Sequence, residues 1–356
     1  MNISANIVTG RDSSKLEFST LTFADMPQIS KLLVTVWPIL YGAVGHPLFD
    51  ENYLRWIYGG PNSKKHVMIG AWRNDELIAY QSFLYRSISY AGKMLNSYLW
   101  THATVSPKLL DSDRVKCAIQ LIKQGVLFNA NSGFFVEDCD LVFAFNEADK
   151  NTREVVDKVL KKNYGIDRKI NSAFNQFIIA PNKLNKYLQE NTSSPKAFDV
   201  IAVTEKESNE LASLFNRPLQ GTQFIMQLTE DELRHHFFGH PEHHTYAIAQ
   251  GGTLKACINF FPLQIVKESK THLEIIVEFL IADPDHIEYA AHLLSKAVSF
   301  AGKTGAKAIV LENANYLDYV QHHAIGLLPT LRKMTMSAIS RDGLFDYYGA
   351  FRCDVK

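Results

Sequence analysis

The chain repeats its own pattern at a fixed distance, and that repeat limits what it can fold into. HVMIGAWRNDELIAYQSF (66–83) and HTYAIAQGGTLKACINFF (244–261) each read as two strands around a turn. NSYLWTHATVSP (96–107) and LEIIVEFLIADP (273–284) each read as a strand closed by a proline. Pro107 and Pro284 lie 177 residues apart, as do Ala79 and Ala256. YLRWIYGGP (53–61) parallels DELRHHFFGHP (231–241), and CDLVFAFNEA (139–148) parallels AKAIVLENAN (306–315). The shared offset predicts an internal duplication. With 356 residues the chain exceeds a usual single core. The expected organisation is a loose tail at 1–15, one domain over 16–190 and a second over 191–356, with a polar linker around Ser193, Ser194 and Pro195.

Within the first copy the pattern predicts a strand over 16–23 and an amphipathic helix from Ala24 to Trp37, ended at or near Pro38. A short helix from Asp50 to Tyr58, the hairpin and a central strand follow. In that strand Tyr98, Trp100, His102 and Thr104 alternate with Leu99, Thr101, Ala103 and Val105, which places the first four on one face. Beyond Asp111 the apolar residues Val115, Ala118, Ile119 and Ile122 take helical spacing, and Ser112 or Asp113 can cap that helix. Its N-terminus is a natural anion site, because unpaired N–H groups and the helix dipole both face outward there. A strand over 141–146, a helix from Thr152 to Lys162 and a strand near Ser172 to Ala180 complete the copy.

Composition narrows the function. The 37 basic and 37 acidic residues cancel, which removes the electrostatic footprint of a nucleic-acid binder. No apolar leader or run of about 18 apolar residues occurs, so neither export nor membrane spanning is expected. Cys117, Cys139, Cys257 and Cys353 are widely spaced and fit a reduced, cytoplasmic setting. The cluster His235, His236, His240, His243 and His244 lacks zinc-ligand spacing, and no metal is expected.

The element order, with a central strand ending in V-x-P and running into a helix, resembles the GCN5-related N-acetyltransferase (GNAT) superfamily. LRWIYGGPNSKKHVMIGAWRNDELIAYQSFLYRSISYAGK (54–93) is similar to the N-terminal half of tandem GNAT proteins. The resemblance covers about residues 16 to 340 and rests on order and hydrophobic pattern. It implies two tandem α/β domains, each a mixed, mostly antiparallel sheet flanked by helices. It also implies transfer of an acyl group from acetyl-CoA or another acyl-CoA to a primary amine, such as an amino sugar or amino acid. The GNAT phosphate loop, Q/R-x-x-G-x-G/A, is replaced here by Lys108, Leu109, Leu110, Asp111, Ser112, Asp113 and Arg114, without glycine and with two carboxylates.

Direct attack of an amine on a thioester needs a base, N–H groups to polarise the carbonyl and an acid for the thiolate. The resemblance implies His102, Glu147 or Glu278 as base and Tyr316 as acid. It implies Thr104, Val105, Lys108, Ser112, Asp113, Arg114 and Asn146 as contacts of the cofactor. An unperturbed imidazole pKa near 6.5 suits a base at neutral pH. A packed strand histidine is the competing reading of His102. Trp37, Trp56, Tyr58, Trp72, Tyr80 and Phe83 could line an apolar acceptor or acyl pocket, with core filling as the competing reading. Also open are a homodimer, a non-catalytic GNAT-like binding or interaction module, and an acyltransferase fed by a carrier-protein thioester.

Overall fold

The fold is described from a computed structural model, over residues 16–43, 45–124, 139–147, 157–162, 169–191, 198–218, 222–282, 284–312, 319–340 and 350–352. The first half contains β1 (Glu17–Thr20), α1 (Met26–Tyr41), β2 (His46–Pro47), α2 (Glu51–Tyr58), β3 (Val67–Arg73), β4 (Glu76–Tyr90) and β5 (Lys93–Val105). It continues through α3 (Asp111–Gln124), β6 (Leu141–Glu147), β7 (Lys169–Ile179) and α4 (Pro181–Glu190). The second half has β8 (Asp199–Ala202), α5 (Ser208–Asn216), β9 (Thr222–Gln227), α6 (Glu230–Phe238), β10 (His244–Gln250), β11 (Thr253–Lys267) and β12 (Lys270–Ile281). After these come α7 (Ile287–Thr304), β13 (Ala308–Leu311), α8 (Tyr319–Ala324), β14 (Leu327–Ser340) and β15 (Ala350–Arg352). The expected tail, the linker at 193–195, Tyr316 and the start of the helix expected at Thr152 lie outside the described residues.

The duplication holds at the level of strand register. Val67 pairs with Phe83 as His244 pairs with Phe260, and each hairpin has an irregularity at the same place, between Ala71 and Trp72 and between Ile248 and Ala249. Both central strands also bulge. Tyr80 faces Thr104 and Ser82 faces Thr101, so Gln81 alone opposes His102 and Ala103. In the second half Asn259 faces Phe279 and Phe260 faces Val277, which leaves Glu278 as the extra residue. An inserted residue reverses the faces of everything beyond it. Thus Trp100 packs with Phe83 and Cys117 on the α3 side, whereas His102 meets Trp37, Phe49 and Tyr58 on the α1–α2 side. The single face expected for Tyr98, Trp100, His102 and Thr104 is corrected by this bulge.

The helices follow their apolar stripes. In α1, Ile29, Leu32, Leu33 and Val36 are buried, each contributing about 1.5–3 kcal/mol by leaving water. Pro38 does not end α1, which continues to Tyr41. Proline removes one backbone donor and need not stop a helix one turn from its end. The α2 helix is capped by Asp50, whose side chain accepts from Tyr53 N–H, and α6 by Thr229 and Glu232 in a reciprocal capping box.

The halves share one sheet, in the order β1-β3-β4-β5-β6-β14-β7-β13-β12-β11-β10-β8. Most neighbours are antiparallel, with β5–β6 and β12–β13 parallel. The centre is exchanged between halves. The late strand β14 lies between β6 and β7, and β7 in turn pairs with β13. A second exchange is reciprocal as well: β2 adds to the far end of β11, and β9 to the far end of β4. Helices α2 and α6 meet at the same seam, where Trp56 Nε1 donates to the His235 carbonyl and His235 Nε2 lies 2.8 Å from the Trp56 carbonyl.

Sheet pairing therefore crosses the division expected at residues 190 and 191. Residues 1–190 expressed alone leave β6 and β7 without β14 between them, so the fragment should show no cooperative unfolding transition, and co-expression with 191–356 should restore one. Cooperative melting of either fragment alone would contradict the exchange.

Candidate functional site

Beyond the bulge the central strand of the first half parts from its neighbour. β5 and β6 pair only at Ser97–Leu141, Tyr98–Val142 and Leu99–Phe143, so among the described residues the β6-side edge from Trp100 to Val105 has no strand beside it. β12 and β13 likewise pair only from Glu274 to Val277. Such an opening leaves backbone N–H and C=O groups able to bind an extended ligand.

At the mouth of the first opening the bulge is held by a buried polar cluster. His102 has φ 54°, the left-handed region that few residues other than glycine occupy. Thr104 Oγ1 donates to the His102 carbonyl at 3.0 Å and accepts from Trp37 Nε1 at 2.8 Å, fixing the turned backbone from the side of α1. His102 is 6% exposed, with Nδ1 2.6 Å from the Tyr58 hydroxyl. That hydroxyl lies 2.7 Å from Ser82 Oγ, and Ser82 Oγ donates to the Thr101 carbonyl at 3.1 Å. Phe49 stands edge-on to the imidazole with ring centres 5.1 Å apart, and Trp37 covers it at 5.9 Å. Among the described residues Nε2 makes no hydrogen bond.

Burial governs the charges here. Desolvation lowers the His102 pKa to about 3, in place of the unperturbed value expected from sequence, and the ring is neutral at ordinary pH. Desolvation also raises the Tyr58 hydroxyl far above its usual range, so it keeps its proton. The second half fills the corresponding space differently. At the 177-residue offset Phe279 stands where His102 does and Asn259 where Ser82 does; counted from the helix caps, Phe237 stands where Tyr58 does. Phe237 and Phe279 stack with ring centres 5.5 Å apart, and Phe215 packs edge-on to both.

The other predicted residues fall in three places. At the start of α3, Lys108 pairs with Glu76 at 2.6 Å, Arg114 with Asp111, and Lys116 with Asp113 at 3.7 Å. The Lys108 hydrogen bond lowers the Glu76 pKa. Leu109 is buried and anchors the turn, and Ser112 is exposed at the helix start. These exposed pairs are worth about 0–1 kcal/mol each, so a diphosphate could exchange for the acids. Asn146 and Glu147 close β6 opposite Thr335 and Met334 of β14. Glu278 is buried on β12, 3.7 Å from His236 Nδ1. His236 in turn lines a shallow open cleft at the seam, shared with Asn62, His66, Arg86, Glu232 and His235.

His102 and Thr104 are thus brought together with Trp37 and Tyr58, two of the aromatics expected in a pocket or core, and with Ser82, which carries no mark in the sequence. Glu278 belongs to the other half. Aligning the two copies carries the missing signal, since Tyr, Ser and His stand where the second copy has Phe, Asn and Phe. Among the described residues no group of three His, Cys, Asp or Glu side chains is placed to hold a metal, and no helix is long and apolar enough to cross a membrane.

A buried neutral histidine gives a pH signature. Its folded pKa is lowered, so the stability it permits is complete above the unfolded value near 6.5 and lost as pH falls toward 3. The loss should approach about 1.4 kcal/mol per pH unit within that window. His102→Asn, which tolerates the left-handed backbone, should flatten the slope by that amount in denaturant titrations between pH 6.5 and 4. An unchanged slope would contradict burial of a neutral ring.

No family model matches the sequence, and no curated protein matches it. Solved structures do match the fold. N-myristoyltransferase of Saccharomyces cerevisiae, with bound myristoyl-CoA, has a TM-score of 0.66 at 13% identity, covering 95% of this chain and 81% of that one. A GCN5-related N-acetyltransferase from Anabaena variabilis gives 0.57 at 8% identity, covering 92% and 73%. One from Kribbella flavida gives 0.54 at 11% identity, covering 92% and 72%. The chain therefore has the GNAT fold, built as two such units in tandem like the folds of these transferases.

Proposed function

We propose that the protein is an acyl-CoA-dependent N-acyltransferase whose first half carries the reaction. The observation that supports this most is the contrast between the two bulges. The second half places phenylalanines at the positions of Tyr58 and His102 and buries an acid, Glu278, at its own bulge, whereas the first half buries an imidazole, two hydroxyls and a left-handed backbone in one hydrogen-bonded chain at the mouth of its strand opening. Buried polar groups and backbone strain each cost free energy, and such costs gather at sites of chemistry.

The thioester arm would lie along the open edge of β5 from Trp100 to Val105, with its diphosphate toward Lys108 and Arg114 at the start of α3. The acceptor amine attacks the thioester carbonyl, a C–N bond forms and the C–S bond breaks. Backbone N–H groups at the bulge polarise the carbonyl oxygen. His102 Nε2 accepts the hydrogen bond of the attacking amine. With a pKa of about 3 the ring is a relay for the proton rather than its resting place, and the departing thiolate is the stronger base that receives it. The acceptor is a primary amine: a small amino sugar or amino acid fits the sequence reading, and a peptide N-terminus fits the likeness to an N-myristoyltransferase fold.

A non-catalytic thioester-binding module, or a donor carried on a protein, is the second reading, favoured by the glycine-free, acid-paired start of α3. Thiol release assayed with acetyl-CoA and longer acyl-CoAs, against amino sugars, amino acids and a peptide with a free N-terminus, separates them. Release that needs both donor and amine, and that falls about 100-fold in a folded His102→Asn variant, is the expected result. Acyl-CoA that raises the melting temperature without any amine-dependent release would favour the binding module instead.

A further inference from the structure

His102 Nδ1, the Tyr58 hydroxyl, Ser82 Oγ and the Thr101 carbonyl form an unbroken chain, with successive gaps of 2.6, 2.7 and 3.1 Å. The direction of that chain follows from counting protons. A carbonyl only accepts, so the bond at Thr101 takes the single Ser82 proton. Along the bonded chain Ser82 then accepts from Tyr58, and Tyr58 from the imidazole; the buried Tyr80 hydroxyl beside them makes no hydrogen bond with either. All three bonds form when His102 carries its proton on Nδ1. If the proton sat on Nε2, Tyr58 would have to donate to Nδ1 and Ser82 to Tyr58, and the Ser82–Thr101 contact would hold two acceptors and no donor. Buried groups favour the arrangement that satisfies more of them.

The second half tests whether the fold itself needs such a chain. Asn259, at the place of Ser82, turns its Nδ2 to Thr245 Oγ1 at 3.0 Å, and the aromatic pair Phe237 and Phe279 carries no hydroxyl or imidazole. That hairpin closes its own bulge, at Glu278 rather than at the place of His102, without an imidazole–hydroxyl chain.

We propose that Tyr58 and Ser82 are positioning residues that hold His102 in the Nδ1–H form, so that the Nε2 lone pair is presented to the N–H of the acceptor amine. This rests on the acyl-transfer reading and deepens it. Neither hydroxyl touches the reacting atoms; each acts through the ring. Lone imidazoles prefer the proton on Nε2, so the chain has a definite task. It also predicts an acceptor that arrives as an N–H donor, because Nε2 has nothing to give.

The test begins in the free protein, where no substrate is needed. In histidine-¹⁵N-labelled full-length protein, the His102 signal, assigned by its loss in His102→Asn, should show a protonated Nδ1 and an unprotonated Nε2. In Ser82→Ala the Tyr58 proton loses its acceptor and turns to Nδ1, and the ring should switch to Nε2–H although no contact to it is deleted. Ser82→Thr should restore the original tautomer. Tyr58→Phe, which should switch the ring in the same direction, serves if Ser82→Ala does not fold. With the acceptor found in the thiol-release assay, kcat should fall about 100-fold in Ser82→Ala and recover in Ser82→Thr, with KM for the acyl-CoA unchanged. An Nε2–H ring in the unmodified protein overturns the relay regardless of activity. A tautomer that switches while kcat holds overturns the positioning role. A correct set of tautomers with no amine-dependent turnover in the unmodified protein removes the acyl-transfer reading and, with it, the role toward the acceptor.

Discussion

Neither half of this chain closes its own sheet, and most of the molecule follows from that. β14 is the strand that joins β6 to β7, and β7 reaches β13, so the sheet centre exists only when both halves are present. The exchange repeats outward, where β2 and β9 cross to the ends of β11 and β4. Backbone pairing at these crossings satisfies donors and acceptors that an interrupted sheet would expose. The crossing also bears on the site. α2 is held in its last turn by Trp56 against His235 of the other half, and Tyr58 at its end stands at the bulge. The second half is in this sense the scaffold on which the first half's hydroxyl is placed.

Much of this was legible as sequence, because the strongest signals are local. Hairpins set their own register through turn length and alternating burial, so the 177-residue offset written in Ala79 and Ala256 reappears as matching pairs, down to the irregularity after Ala71 and after Ile248. The exchanges were not legible. A two-residue strand such as β2 carries no period, and β14 pairs with a strand nearly two hundred residues earlier, a choice that only tertiary packing makes. The bulge was hidden for a related reason. Tyr98, Trp100, His102 and Thr104 alternate perfectly in the sequence, and one extra residue in the strand turns His102 and Thr104 to the opposite face from Trp100.

The site was half visible. His102 and Thr104 stand out because they are polar residues inside an apolar strand, whereas Tyr58 sits among aromatics that read equally well as core. Ser82 is a small residue in a buried strand, with no local mark at all. What separates them from packing is the comparison between copies, in which one half keeps the polar chain and the other replaces it with Phe237 and Phe279. The same comparison supports the proposal that the first half carries the reaction, even though the loop before α3 lacks the glycines of the family the sequence resembles. Its bases, Lys108 and Arg114, are held by exposed acids and can be released at small cost, while the second half opens α7 with Asp285 and Glu288.

A crystal structure of the full chain with an acyl-CoA thioether, which keeps the arm and the carbonyl but cannot transfer its acyl group, tests the central claim most directly. The account predicts density for one arm, lying between β5 and β6 along Trp100 to Val105, with its carbonyl at the His102 bulge and its diphosphate at the start of α3. Density between β12 and β13 beside Phe279, or an arm bound elsewhere with the β5–β6 opening empty at saturating ligand, would contradict it.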